Sequence, residues 1–435
     1  MADPLGDSVP LTGDPRIDVV TQGGSWGFGV GLHILTYSFN TVPGGAVWSA
    51  DAHNAVTQAL AAWAAVANVS FTEVVSGGDI NQSTADLAFG LSNGELLNQA
   101  GAVGIAGFPD ATNDDVYRDI VNAIFGTSYT SATYAKPEGD VFIESDYPGF
   151  AYLQPGGDGL LTTLHEIGHA LGLKHPFDDG GNGRPTANQL GVPQYDDGLW
   201  TIMSYDFVSP EFSIGNQATP MPLDILAIQQ IYGANMSYHT GDDVYVLAAD
   251  NIVKTIWDAG GTDTFDASQF ASPFTNSLTI DLRAGAFSQH GPHSTTAIAF
   301  NVVIENAIGS SLEDVITGND AANLLIGNAG SDVLRGGAGK DTLIGGTGDD
   351  GYEVDEPGDV IQESSNGGFD SVNALYDFVL PANFEGLSLS GAATSGTGNA
   401  ANNLMSANSI ASKIAAIATT VLPEPTSPCN KRFIA

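Results

Sequence analysis

The sequence predicts a mixed α+β domain followed by an all-β domain built from short parallel strands. In roughly the first half of the chain, apolar residues recur with both helical and strand-like periods. After residue 235, helical periodicity nearly disappears and nine-residue repeats replace it. The 54 glycines among 435 residues, together with only 14% charged residues, indicate that part of the chain is glycine-rich and loop-like.

Apolar spacing places three helices and three strands in the first domain. The third helix has the clearest ends, because Pro222 opens it and Gly233 follows its last residue. The helices are expected at 52–67, 160–171 and 222–232, and the strands at 69–74, 85–89 and 139–144. The predicted domains are residues 15–235 and 236–406, preceded by a pro-segment or disordered N-terminus (1–14) and followed by an atypical tail (407–435).

The acidic composition excludes several classes of partner. There are 50 Asp and Glu against 12 Lys and Arg, giving a net charge of −38. Nucleic acids and anionic membranes select clustered basic residues, so no nucleic-acid partner is expected. No segment approaches the ~20 apolar residues of a membrane helix, so no membrane insertion is expected. Abundant carboxylates instead suit hard cations such as calcium.

Cysteine content and the N-terminal sequence bear on the compartment. Cys429 is the one cysteine, so a disulfide framework cannot form. Residues 1–16 lack the basic start and apolar run of a Sec signal peptide. Any export is therefore expected to use another route.

Five nine-residue units run in register in the second domain. In each unit a glycine turn precedes a short strand whose apolar eighth residue points inward. Two units complete one coil, so residues 18 apart stack: Asp314, Asp332 and Asp350 form one column, and Asn323 and Asp341 the other. The units begin at Gly309, Gly318, Gly327, Gly336 and Gly345.

This pattern is typical of a calcium-binding parallel β-roll, although isolated glycine–aspartate runs are often flexible loops. Turn carbonyls and aspartates supply the oxygen ligands that calcium prefers. Folding is expected to depend on calcium because the stacked carboxylates repel one another, and Asn323 is expected to weaken its site. The predicted ligands are Asp314, Gly327, Gly330, Asp332, Gly336, Gly337, Gly339, Asp341, Gly345, Gly346, Gly348 and Asp350.

The strongest chemical motif is HEIGHALGLKH at residues 165–175. His165 and His169 lie four residues apart and therefore project from one face of a helix. Gly172 permits a positive φ and a chain reversal that returns His175 as a third ligand. Three neutral imidazoles leave one tetrahedral position on zinc open for water, which is typical of a catalytic site.

The extended motif resembles that of the metzincin metalloproteases, whose signature is HExxHxxGxxH followed by a Met-turn. The segment TIMSY at 201–205 matches that turn. Within the metzincins, the sequence is most similar to the serralysins, secreted bacterial proteases that carry a calcium β-roll. The resemblance implies an α+β metzincin catalytic domain followed by an all-β parallel β-roll (RTX) domain.

The resemblance also implies roles for individual residues. The three histidines would bind zinc, Glu166 would act as general base, and Met203 would form a hydrophobic floor. Tyr205 would stabilise the oxyanion, although Met203 and Tyr205 could equally be packing residues. A further calcium cluster is implied at Asp258, Gly260, Gly261, Asp263, Gly241, Asp243 and Glu305, with an ordinary Asp-Gly turn as the alternative.

The function expected from these features is secreted zinc-dependent endoproteolysis of protein substrates by a monomer. The resemblance implies that strand 139–144 pairs with an extended substrate and that a type I secretion apparatus exports the protein. The tail at 407–435 lacks a convincing form of the family's export signal. Two alternatives remain open: a calcium-dependent RTX adhesion module with a vestigial protease domain, and a zinc hydrolase acting on a non-peptide substrate.

Overall fold

The computed structural model describes residues 8–27, 31–75, 77–94, 96–99, 102–109, 114–181, 183–206, 215–271, 277–291 and 293–407. The chain divides into two compact units. The first comprises Met1–Tyr238 with Asn251–Ala259, and the second comprises His239–Asp250 with Gly260–Ala435. Half of the predicted N-terminal segment (1–7) and almost all of the predicted tail (408–435) lie outside the described residues.

A five-stranded sheet forms the centre of the first unit. Its strands are β1 His33–Asn40, β2 Val69–Glu73, β3 Leu87–Ser92, β4 Gly104–Ala106 and β5 Val141–Glu144. Their order is β2-β1-β3-β5-β4, and only β4 runs antiparallel to its neighbour. Every residue of β3 is buried, as expected for a continuous apolar run in the middle of a parallel sheet.

The helices of the described residues are α1 Pro15–Asp18, α2 Ala50–Val66, α3 Leu96–Gln99, α4 Asp114–Phe125, α5 Asp158–Ala170, α6 Ala187–Leu190 and α7 Pro222–Tyr232. Short 3₁₀ turns occupy Ile80–Gln82, Pro148–Ala151 and Pro193–Tyr195. Helix α5 is buried along its whole length. It packs against α2, where the Trp63 indole donates a hydrogen bond of 3.2 Å to the Leu164 carbonyl. None of the helices within the described ranges combines the length and apolar character needed to cross a bilayer.

The predicted helices match α2, α5 and α7 to within two residues, but the sheet differs from one expectation. Strand β5 pairs with β3 on one side and β4 on the other. The expectation that segment 139–144 receives the substrate is therefore wrong, because both of its edges are already hydrogen-bonded. The terminal strand next to β5 is β4, which is too short to show a period in the sequence.

The second unit consists mostly of parallel strands in two main sheets, and the strand at Phe287–Gln289 pairs antiparallel with both of its neighbours. One sheet has the order β18-β16-β14-β12-β8-β6, and the other includes β23-β21-β19-β17-β15-β13-β9-β10-β11. Strand β7, Val253–Ile256, belongs to the first unit. The strands of the second unit are β6 Val244–Val246, β8 Thr264–Asp266, β9 Ser277–Asp281, β10 Phe287–Gln289, β11 Thr295–Ile298, β12 Asn306–Ile308, β13 Glu313–Thr317, β14 Leu324–Ala329, β15 Val333–Arg335, β16 Thr342–Thr347, β17 Gly351–Val354, β18 Val360–Gln362, β19 Ser371–Ala374, β20 Phe378–Val379, β21 Gly386–Leu389, β22 Gly396–Thr397 and β23 Leu404–Ala407.

The repeats stack as their period predicts. Val315 lies opposite Val333 in one sheet, and Leu324 lies opposite Thr342 in the other, in each case 18 residues apart. The eighth residue of each unit is buried, and each such burial contributes about 1.5–3 kcal/mol. These core residues are Ile316, Leu325, Leu334, Leu343 and Tyr352.

Candidate metal centre

Three histidine side chains converge at one point of the first unit. Helix α5 supplies His165 and His169 from the same face, as their spacing of four predicts. The Nε2 atom of His175 lies 3.2 Å from Nε2 of His165 and 3.0 Å from Nε2 of His169. The motif therefore brings together the three nitrogens that the sequence singled out.

The hydrogen bonds on the far side of each ring fix its tautomer. Nδ1 of His165 donates to the Ile202 carbonyl at 2.7 Å, and Nδ1 of His169 donates to the Leu173 carbonyl at 2.8 Å. Burial lowers the pKa of His165 to about 3 and that of His169 well below its ordinary value. Both rings are therefore neutral and direct Nε2 lone pairs at one another, an arrangement that fits a bound cation with a preference for imidazole, such as zinc.

Gly172 ends helix α5 and reverses the chain toward His175. Its φ is +104°, which disfavours residues other than glycine. A Cβ atom there would also lie 2.5 Å from the Gly24 carbonyl oxygen, so a side chain would collide with the backbone. The Leu173 amide returns to the Gly168 carbonyl at 2.9 Å, which closes the helix end. The Lys174 amide then bonds the Val20 carbonyl at 2.8 Å, which anchors the segment carrying His175 to the N-terminal region.

Glu166 lies beside the three rings with its carboxyl group inside the protein. The residue is 5% exposed. Its Oε2 atom has no hydrogen-bond partner within the part of the chain that the structure describes. A Cβ atom on Gly104 of β4 would lie 2.5 Å from Oε1, so the missing side chain at that position makes room for the carboxyl group. Burial raises the pKa of Glu166 to about 8, close enough to neutral pH for the carboxyl group both to accept and to donate a proton during a reaction.

Tyr205 and Met203 both lie close to residues of the histidine motif. The Tyr205 ring is centred 4.6 Å from the His175 ring, and the residue is 56% exposed, so it is not a core packing residue. Met203 is fully buried, and a Cβ atom on Gly168 would lie 2.8 Å from its sulfur. Met203 therefore packs against α5 between His165 and His169.

A cleft of about 440 Å³ opens in front of the cluster. Glu166, His169 and His175 line one side of it, and strand β4 lines another. Exposed apolar residues of α4, Val116 and Ile120, complete the wall. A segment of extended chain is thus able to reach the cluster along a strand edge.

Two residues of this centre were not identified from the sequence. Oδ2 of Asp178 accepts a hydrogen bond from Nδ1 of His175 at 2.6 Å. Buried Asp224 of α7 accepts hydrogen bonds from Thr201 and from the Ile202 amide, which holds the turn before Met203. An acidic residue three positions after His175 was an available signal for Asp178, whereas Asp224 becomes relevant only through the fold.

The repeat turns of the second unit differ in the hydrogen bonds that the side-chain oxygens of their sixth residue accept. The Oδ2 atoms of Asp332, Asp341 and Asp350 are buried and have no hydrogen-bond partner among the described residues. Oδ2 of Asp314, in contrast, accepts hydrogen bonds from the amide and hydroxyl of Ser310. The columns are otherwise continuous, because the Asp314 amide donates to Asp332 and the Asp332 amide donates to Asp350, both at 2.8 Å.

Asn323 satisfies its turn with its own amide group. Its Nδ2 donates to the Glu305 carbonyl at 2.9 Å, and its Oδ1 accepts from the Asn319 amide at 2.8 Å. Both polar atoms of the Asn323 side chain are therefore paired, whereas a carboxylate at this position could not donate to the Glu305 carbonyl.

The predicted turn glycines are required by their backbone. Gly330 and Gly348 have φ values of +126° and +130°, and a Cβ atom on Gly330 would lie 2.1 Å from the Leu312 carbonyl oxygen. Positive φ values also occur at Gly337, Gly339 and Gly346. At the first position of the units, a Cβ atom would collide with the carboxylate of the sixth residue; this applies to Gly327, Gly336 and Gly345.

The additional predicted cluster is brought together in part. The Asp243 amide donates to Oδ1 of Asp263, and the Asp263 amide donates to Oε2 of Glu305, both at 2.8 Å. Gly261 lies against Gly241, where a Cβ atom would meet the Gly241 carbonyl oxygen at 2.0 Å. Gly260 has a φ of +135°, and Asp258 is buried.

Comparisons with known proteins match both units. A family model for matrixin matches residues 31–182, and one for the serralysin C-terminal region of M10 peptidases matches residues 223–385. The fold class predicted from the sequence is confirmed by these matches.

Three curated relatives illustrate the similarity. The chain is 33% identical to a serralysin of Proteus mirabilis over 285 residues (61% of this chain, 53% of the relative). It is 31% identical to metallopeptidase AprA of Pseudomonas marginalis over 322 residues (66% and 61%). It is 34% identical to serralysin G of Dickeya chrysanthemi over 356 residues (73% and 67%). The chain thus spans between about half and two thirds of the length of these relatives.

Proposed function

This chain belongs to the serralysin-type metzincin metallopeptidases, and on that basis we propose that it is a secreted zinc-dependent endopeptidase that cleaves protein substrates. The observation that carries the proposal is the convergence of the three histidine Nε2 atoms beside the buried carboxyl group of Glu166. Family membership implies zinc, and the neutral imidazoles of His165, His169 and His175 are its proposed ligands. The proposal of secretion rests on family membership. The proposal of calcium binding rests on family membership together with the unpaired carboxylate oxygens of Asp332, Asp341 and Asp350 in the second unit.

The proposed chemistry divides between the metal and the protein. Zinc, when bound, supplies a Lewis acid that polarises the substrate carbonyl and lowers the pKa of water. Glu166 accepts the proton of the attacking water at Oε2 and later donates it to the leaving amine. The Tyr205 hydroxyl donates a hydrogen bond to the oxygen on which negative charge develops.

The substrate is proposed to bind as an extended strand. Strand β4 is one of the two terminal strands of the sheet and lines the cleft beside Glu166. A peptide that pairs with the outer edge of β4 would have its backbone held by hydrogen bonds. Such pairing would position a scissile bond next to the histidines without strong dependence on side-chain identity.

Casein hydrolysis before and after metal removal tests this function. The purified full chain, kept in excess calcium, should lose activity when its zinc is removed with a zinc-selective chelator and should regain activity when zinc is added. Casein hydrolysis that persists in protein shown to contain no zinc would contradict the proposal. A folded, zinc-loaded protein that binds a cell surface but cleaves no peptide would favour the adhesion alternative.

Asp178→Asn is expected to weaken zinc binding by about 10–100-fold, because a carboxylate that accepts from a ligating histidine orients the ring and raises its basicity. The measurement is zinc affinity by competition with a chromophoric chelator, independent of activity. Asp179→Asn is the matched control, since that side chain is exposed and its Oδ1 atom accepts from the Gly181 amide. Equal zinc affinity in Asp178→Asn and the wild type would show that Asp178 does not position His175.

A further inference from the structure

The Lys174 side chain lies entirely inside the first unit, although proteins seldom bury a lysine. Its exposed fraction is 0%. The residue stands one position before the proposed zinc ligand His175. Burying an ammonium group is costly unless hydrogen bonds compensate the charge. The proposed peptide hydrolysis does not use this side chain, so its burial calls for a separate explanation.

The ammonium group of Lys174 donates hydrogen bonds to three backbone carbonyl oxygens. Its Nζ atom lies 2.7 Å from the carbonyl oxygen of Val19, 3.0 Å from that of His175 and 3.0 Å from that of Asp178. A lysine ammonium has three N–H donors and no acceptor, whereas a neutral amine would turn its lone pair toward one of the carbonyls. The three acceptors therefore match the charged form of the side chain and pair each of its donors.

Two of these carbonyls belong to the residues of the His175–Asp178 pair. Nδ1 of His175 donates to Oδ2 of Asp178 at 2.6 Å, and Oδ1 of Asp178 accepts from the Gly180 amide at 2.9 Å. The chain from His175 to Asp178 is thus closed twice, once by the two side chains and once by the ammonium group of Lys174. Holding both carbonyls restricts the backbone dihedral angles that set the direction of the His175 ring.

The third carbonyl connects this loop to the N-terminal region. Val19 directly follows helix α1, and the neighbouring Val20 carbonyl accepts from the Lys174 amide at 2.8 Å. The Gln22 amide donates to the Gly172 carbonyl at 2.9 Å, so the same stretch of chain also binds the turn that ends α5. The main-chain and side-chain nitrogens of Lys174 therefore attach the loop to two consecutive carbonyls of a segment that is itself held in place.

The third histidine depends on such contacts more than the first two do. His165 and His169 belong to helix α5, and their Nδ1 atoms donate to backbone carbonyls. His175 lies outside regular secondary structure, and its Nδ1 atom donates to Asp178, whose side chain is 41% exposed. Its direction is therefore set by the loop rather than by a helix.

We propose that Lys174 is a positioning residue of the zinc site, whose ammonium group holds the carbonyls of His175 and Asp178 so that Nε2 of His175 faces the metal. This inference rests on the proposed function and deepens it, because Lys174 acts on the third ligand without touching metal or substrate. Methionine at this position would fill a similar apolar volume but could not donate. Three buried carbonyls would then lose a donor, and the loop would be free to rearrange.

The test is the zinc affinity of the full chain in excess calcium, measured by competition with a chromophoric chelator. Lys174→Met should bind zinc about 10-fold more weakly than wild type, as expected for a residue that orients a metal ligand. The matched control is Lys136→Met, which removes an exposed lysine of the same unit and should bind zinc like wild type. Equal zinc affinity in Lys174→Met and wild type would overturn the proposal.

Tyr232→Phe controls for a general loss of stability. It removes a buried hydroxyl that donates to the Leu171 carbonyl at 2.9 Å and leaves the loop at 175–180 unchanged. This variant should lower the thermal unfolding temperature of the zinc-free protein without lowering its zinc affinity. A loss of zinc affinity as large as that of Lys174→Met would show that destabilisation alone accounts for the effect.

Combination with Asp178→Asn provides a readout that a purely structural role would not move. Both substitutions act on the direction of His175, so their effects on zinc affinity should not multiply in the double variant. Full multiplication would show that Lys174 acts independently of the His175–Asp178 pair and would contradict the assigned role.

A measurement on the wild type keeps the proposal testable if Lys174→Met does not fold. In protein made with isotope-labelled lysine, an ammonium group held by three carbonyls should give a slowly exchanging resonance that shifts when zinc binds. A resonance that zinc does not shift would contradict the role of Lys174. Wild-type protein that binds no zinc would overturn the proposed function as well, whereas equally tight binding by wild type and Lys174→Met would overturn the role of Lys174 alone.

Discussion

Replacing Glu166 with glutamine is expected to lower kcat/KM for peptide hydrolysis by about 10²–10⁴-fold. Glutamine keeps the shape of the side chain but cannot accept the proton of the attacking water. The carboxyl group is buried next to the histidines, so no solvent-exposed base replaces it. In free-energy terms the expected loss is about 3–5 kcal/mol of transition-state stabilisation.

Zinc content separates loss of a base from loss of the metal. Glu166 is not a proposed ligand, so Glu166→Gln should retain as much zinc as wild type, and His169→Gln should lose it. Tyr205→Phe is a useful comparison, because it removes one oxyanion donor and leaves the base and the three histidines in place. Activity of Glu166→Gln equal to that of wild type would rule out the assigned role.

The catalytic centre could be predicted from the sequence to the extent that it is local. His165, Glu166 and His169 occupy one helix face, and Gly172 returns His175 within a few residues, so spacing alone specifies their arrangement. The contribution of Gly104 could not be predicted in this way. That residue matters because β4 runs antiparallel to β5 and places Gly104 against Glu166, where any side chain would collide with the carboxyl group.

The second unit shows the same distinction between linear period and tertiary contact. Asp332 and Asp350 were assigned to one column because an 18-residue step is visible in the sequence. Asp370 continues that column after a step of 20 residues. Glu363 lies just after the intervening strand β18, whose bounds no repeat defines. A break in the period therefore hid two carboxylates that the fold places beside the repeats.

Calcium removal is expected to unfold the strands of the repeat region. Buried carboxylate oxygens without donors, as at Asp332, Asp341 and Asp350, oppose folding when no cation is present. Burial raises the pKa of Asp332 to about 7 and that of Asp341 to about 6, which expresses the same cost. A site held at 100 times its Kd contributes about 2.7 kcal/mol, so two sites reach about 5 kcal/mol. That sum is comparable with the whole free energy of unfolding of a small domain.

The measurement is amide hydrogen exchange of the full chain after complete metal removal and reconstitution with zinc alone or with zinc and calcium. Amides of β13–β17 should exchange rapidly with zinc alone and become protected when calcium is added. Sodium chloride at matched ionic strength controls for screening of the acidic surface, which would act on both units. Magnesium at the same concentration should protect less, because it demands a near-octahedral shell and gives up water reluctantly. Equal protection of these strands with and without calcium would mean that the carboxylate columns fold without a cation, and would remove the physical basis for the calcium sites.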